Sequence, residues 1–172
     1  MRISLLFFSF ALTGMFSVAG AVGQNGGTVP SNASPATSHI ATIIYKNAQY
    51  GFCFVLPTSW MGYTVVADTW NGGPLDGGPE VSGPLLRIRH PAWTEKNPHE
   101  DIPIMVFTPM EWQRVENDGL SVSAAPIGPS ELGRNRRFVF ALPARYNFDY
   151  AMGWKEVDRL IRSHALKAPC VR

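Results

Sequence analysis

Residues 89 to 108, RHPAWTEKNPHEDIPIMVFT, hold the densest set of reactive side chains in the chain: two histidines, three carboxylates and an arginine ahead of an apolar run. His90, His99, Glu100 and Asp101 offer atoms that ligate transition metals or move protons. Their spacing is H-x8-H-E-D, with prolines at 91, 98 and 103 and without the i, i+4 histidines that H-E-x-x-H places on one helix face. The expected role is architectural: His90 caps a strand end before Pro91, and Glu100 and Asp101 hydrogen-bond the turn feeding the next strand. No metal, no cofactor and no catalytic residue are expected. Adjacent Glu100 and Asp101 would face opposite sides of a strand, a poor start for a carboxylate pair.

Arginine offers a second chemistry, because its planar fork receives carboxylate or phosphate through two parallel hydrogen bonds. Arg87 and Arg89 protrude from one face of a strand, and Arg134, Arg136, Arg137 and Arg145 follow beside Glu131 and Asp149. Arg87, Arg89, His90, His99, Asp101, Arg134 and Arg145 are the ligand-binding candidates. The competing outcome is pairing with the protein's own acids. A third chemistry is aromatic: Trp60, Trp70, Trp93, Trp112 and Trp154 could stack on sugar rings if exposed in a row, or fill a core. No G-x-S-x-G, P-loop, G-x-G-x-x-G or S-x-x-K pattern is present.

The elements that must position these groups are mostly strands. TIIYKN (42 to 47) and FCFVL (52 to 56) read as a hairpin ended by Pro57, and YTVVADTW (63 to 70) as a third strand. The Gly- and Pro-rich NGGPLDGGPEVSGP is expected to be a loop. LLRIRH (85 to 90) alternates, whereas IMVF (104 to 107) and FVFAL (138 to 142) are apolar on both faces and should be central strands. Thr108-Pro109-Met110-Glu111 opens a helix with a capping box, ending near Asn117 before Gly119. SVSAAP (121 to 126) is expected as a short strand and IGPSELGRN as a loop or single turn. From Gly153, the spacing of Trp154, Val157, Leu160, Ile161 and His164 gives a terminal helix with one apolar stripe. Grouped strands with two helices make an α+β domain, a mainly antiparallel sheet with helices packed on its faces.

The ends set the compartment. Arg2, an apolar run from Ile3 to Val18 and small residues at 19 to 21 have the form of a secretory signal peptide, and about 16 apolar residues fall short of the roughly 20 that span a bilayer. Residues 1–21 are read as the signal, 22–40 as a disordered linker, 41–166 as one globular domain and 167–172 as a C-terminal tail. The expected location is secreted or periplasmic, with no membrane span after signal removal. The net charge of +2 drops to near +1 without Arg2, which gives no electrostatic reason to expect nucleic acid. Cys53 and Cys170 are the only cysteines; they form a disulfide if the tail returns to the strand holding Cys53, and otherwise Cys53 is a free buried thiol.

YGFCFVLPTSW, residues 50 to 60, resembles the opening of Mog1/PsbP-like domains, where an aromatic-Gly-Phe strand ends at a proline and a tryptophan follows. IRHPAW, DIPIMVFT, AAPIGPSELGRN and VFALPARYNF are similar to a group of exported bacterial proteins, over most of residues 44 to 161. The first resemblance implies a sheet sandwiched between helical layers, usually in non-enzymatic binding or assembly proteins, and carries no site residues. The expected function is an exported, non-enzymatic binding or accessory domain. Its partner would be an unknown protein or a small anionic ligand, held by loops near residues 87 to 101 and 128 to 149. The alternatives are an extracytoplasmic metal-dependent or hydrolytic enzyme using His90, His99 and Asp101, and a glycan-binding module.

Overall fold

The computed structural model describes residues 41 to 122 and 127 to 170. The expected signal peptide and linker, and most of the expected 121 to 126 strand, lie outside the described residues. Two antiparallel sheets and two helices follow in chain order: β1 (Thr42–Asn47), β2 (Phe52–Pro57), β3 (Thr64–Pro74), β4 (Val81–Arg89), β5 (Ile102–Phe107), α1 (Pro109–Glu116), β6 (Leu120–Ser121), β7 (Ser130–Arg134), β8 (Val139–Leu142), α2 (Trp154–Arg162) and β9 (Leu166–Lys167). The larger sheet has the order β6-β3-β4-β5-β8-β7, and the smaller β1-β2-β9. This is the expected α+β class with a mainly antiparallel sheet.

β5 lies at the centre of the larger sheet and β8 beside it, one strand in from the edge, and every residue of both is buried. Alternation sends Ile102, Ile104, Val106 and Phe140 to one face, where Phe52, Phe54 and Leu56 of β2, Trp60 and Val157 of α2 meet them. Met105, Phe107, Val139 and Ala141 point to the other face, against Trp70 and Trp112 of α1. Burial on both sides is what a non-alternating apolar strand requires. α1 begins as its sequence predicts: Thr108 Oγ1 accepts from the Glu111 amide at 3.2 Å, while the Glu111 carboxylate accepts from the Thr108 amide at 2.7 Å.

Three expectations change. The Gly- and Pro-rich segment after Trp70 is mostly strand, since β3 runs on to Pro74 and β4 starts at Val81. Glycine there makes room for an indole: Gly83 lies opposite Trp70, and a β-carbon on it would come within 2.5 Å of the ring. Trp70 Nε1 then donates to the Val106 carbonyl at 2.9 Å across the sheet. Residues 130 to 134, expected as a loop or turn, form the edge strand β7, with a bulge between Glu131 and Gly133. Its pairing is backbone to backbone with β8, so its polar side chains leave no periodic signal. His164, expected on the helical stripe, follows the end of α2 at φ +53 and is exposed, and Ala165 and Leu166 are buried instead.

The segment expected as a tail is attached to the domain. Lys167 pairs with Cys53 in the sheet register, and Cys53 and Cys170 are joined by a disulfide with Cα atoms 5.1 Å apart. The return of the chain to β2 that a disulfide requires is thus provided by β9.

Candidate functional site

Pairing of β4 with β5 sets Ile88 opposite Ile102, so residues 90 to 101 form a closed loop at one end of the sheet. β8 runs antiparallel to β5 and leaves the sheet at Leu142, so residues 143 to 153 return to that same end. Two sites form where these loops meet.

The first is a cleft of about 270 Å³ lined by Arg87, His99, Glu100, Asp101, Arg145, Tyr146, Phe148 and Asp149. Arg87 is spent on Asp68 at 3.0 Å. Arg89 grips Asp101 with two nitrogens at 2.9 to 3.3 Å, and its guanidinium lies 3.9 Å above the Trp93 ring. Arg145 has no carboxylate partner among the described residues. Its backbone, like that of Tyr150, is left-handed, at φ 54 and 48 respectively, a conformation uncommon outside glycine. Burial, then the neighbouring Asp101 charge, pushes the Glu100 carboxyl above its ordinary value, although the Ala151 amide donates to it. Burial and Asp158 push Tyr146 up to about 12, so its hydroxyl stays protonated and donates to Asp158 at 3.3 Å. Phe148, Tyr150 and Met152 stand exposed on this loop.

The second site lies on the other side of His99. The His90 and His99 rings stack at 3.9 Å with planes 12° apart, and Trp60 meets both edge-on at 4.9 and 6.3 Å. Glu156, in the first turn of α2, joins them, so that ligand-capable atoms of His90, His99 and Glu156 lie within 4.8 Å of one another. Ser59 Oγ donates to Glu156 at 2.8 Å. His90 Nδ1 accepts from the Ala92 amide at 3.1 Å, the strand-end turn its sequence position implied. Burial, and then the charge of His99, holds the His90 ring below its ordinary pKa. His99 is buried against Gly153, whose positive φ of 82° and missing side chain admit the ring.

Of the sequence candidates, Arg87, His99, Asp101 and Arg145 line one cleft, with Arg89 bound to Asp101 at its side and His90 stacked behind His99. Arg134 does not join them. It pairs with Val139, which pairs with Phe107, at the far end of the strands, where it binds Glu131 and lies 3.9 Å from Glu116. There it borders a groove of about 760 Å³ with Tyr50, Arg136 and Arg137. Asp101, offered as a partner of the two histidines in a metal centre, is held by Arg89, and the carboxylate beside them is Glu156. Nothing near residue 156 in sequence marks it, because α2 brings it there. Trp60, Trp70 and Trp112 are buried, so those three form no exposed stacking row.

Among the described residues, no helix is long and apolar enough to cross a membrane. No protein-family model, curated protein or solved structure matches this chain.

Proposed function

We propose that this chain is an exported, non-enzymatic binding domain that holds a small carboxylate-bearing ligand in the cleft between residues 87 to 101 and 145 to 151. The observation that carries the reading is Arg145. Among the described residues it is a guanidinium without an acid partner, lining a cleft in which the other arginine, Arg87, is already neutralised. Its left-handed backbone is strain of the kind that gathers at binding sites. Phe148 offers an apolar rim for the body of the ligand, and Asp149 an acceptor for an amine or hydroxyl beside the carboxylate. Binding rather than turnover is supported by the fate of Asp101, whose charge is committed to Arg89.

Export rests on the signal-like N-terminus and is supported by the Cys53–Cys170 disulfide, which persists in oxidising compartments. The resemblance to Mog1/PsbP-like domains belongs to the same proposal. A six-stranded sheet with α1 on one face, and α2 with the smaller sheet on the other, supports it.

The test is calorimetry with a panel of amino acids, hydroxy acids and dicarboxylates alongside their amides. At least one acid is expected to bind while its amide does not, and Arg145→Ala is expected to weaken it by about tenfold or more, the worth of a charged hydrogen-bonded pair. Equal binding of acid and amide, or full binding by Arg145→Ala, refutes the assignment.

A further inference from the structure

We propose that His90, His99 and Glu156 form a binding site for one divalent transition-metal ion. This inference is separate from the ligand cleft and does not depend on it. It rests on three segments distant in sequence converging on one point. His90 directly follows β4, the loop returns at His99 just before β5, and the first turn of α2 delivers Glu156. Among the described residues no other group of three such side chains comes together.

The distances suit an ion of modest size. Donor atoms around a tetrahedral zinc lie about 3.4 Å apart at bond lengths of about 2.1 Å. The three atoms here are within 4.8 Å of one another, so the site closes by movements of about an ångström. Parallel imidazoles direct their lone pairs side by side, so loading tilts one ring out of the 12° stack.

The backbone already offers the partners that orient liganding imidazoles. His99 Nδ1 lies 3.4 Å from the Glu100 carbonyl, and among the described residues Nε2 of this buried ring has no hydrogen bond. The Ala92 amide donates to His90 Nδ1 at 3.1 Å, and an ion on that ring nitrogen takes the place of this hydrogen bond. Ser59 Oγ fixes Glu156 from behind. Trp60 is fully buried and packs edge-on against both rings, so its fluorescence reports on the cluster. Two imidazoles and one carboxylate select zinc, cobalt, nickel or copper over calcium and magnesium, which demand more oxygen donors. Three protein donors also leave a fourth position for water.

The experiment titrates the exported chain, stripped with chelator, with Zn²⁺, Co²⁺ and Ni²⁺ by calorimetry and tryptophan fluorescence. One ion per chain is expected, with visible Co²⁺ absorption from nitrogen and oxygen ligands and quenching of Trp60 by Co²⁺ and Ni²⁺. Glu156→Gln and His90→Ala are each expected to weaken binding at least tenfold, and His164→Ala to leave it unchanged. Glu156 is only half-buried, so its variant keeps the test informative if His90→Ala fails to fold. No binding at millimolar ion, or equal affinity in the folded Glu156→Gln chain, overturns the proposal.

Discussion

Replacing Gly153 by alanine is expected to destabilise the domain by about 2–5 kcal/mol, and two independent costs make up that figure. Gly153 sits at φ 82 and ψ −2, where an L residue pays about 1–2 kcal/mol. A β-carbon there would also lie 2.7 Å from His99 Nδ1 and closer still to Cε1 and Nε2. The ring is only 8 % exposed, with His90 stacked on its face and Trp60 at its edge, so it cannot withdraw without moving them. Overpacking of this kind costs about 1–3 kcal/mol. Against a typical total of about 5–15 kcal/mol, the sum is a substantial share.

The two costs separate in a double-mutant cycle, measured by urea unfolding in chelator with fluorescence and circular dichroism. His99→Ala removes the ring but not the backbone strain. In that background Gly153→Ala is therefore expected to cost only about 1–2 kcal/mol, a coupling of about 1–3 kcal/mol between the sites. The reasoning fails if Gly153→Ala costs under about 1 kcal/mol, or if the two substitutions add without coupling, since either result means that Gly153 does not hold the ring in place.

Three further outcomes follow from other elements. Cys170→Ser opens a link of sequence separation 117, and unfolding is expected to become easier by about 5 kcal/mol in the chain-entropy model, read as a lower urea midpoint than that of the oxidised protein. Glu100, whose carboxyl is raised by burial and by Asp101, favours the folded state while protonated. Its stabilising contribution is present below the unfolded value and lost as pH rises through the raised folded one, so Glu100→Gln should stabilise at pH 7 but not at pH 4. Thr108→Ala deletes one half of the α1 capping box and is expected to cost about 1 kcal/mol in thermal or urea unfolding, with serine restoring most of it.

The central strands were legible in the sequence because burial on both faces removes alternation, and IMVF and FVFAL lack it. The start of α1 was legible because a cap is local chemistry, complete within Thr108 to Glu111. β7 was not, because an edge strand needs only its backbone, and Ser130 to Arg134 carry no pattern that pairing would demand. The continuation of β3 and β4 through glycines was hidden for another reason. Gly83 is a strand residue because Trp70 lies across it, a fact about the opposite strand rather than about the glycine.

The functional residues divide along the same line. Arg134 and Arg145 look like one cluster when read along the chain, but β8 runs between them and places them at opposite ends of the sheet. His90 and His99 are grouped in the sequence by residue type alone, since their spacing lacks the i, i+4 periodicity that would join them on a helix. An antiparallel pair closes a loop at its end, so residues flanking that loop meet whatever its length. Ile88 opposite Ile102 brings the two ends of the loop to one edge of the sheet, where the imidazoles stack and Gly153 leaves room for the His99 ring. The third donor follows from packing: Val157 is buried against the core, which fixes the rotation of α2, and Glu156, one residue earlier in the first turn, is carried to the histidines. The same apolar contacts that fold the sheet thus assemble the site, and loss of the Val157 contact should disturb the histidine cluster as well as stability.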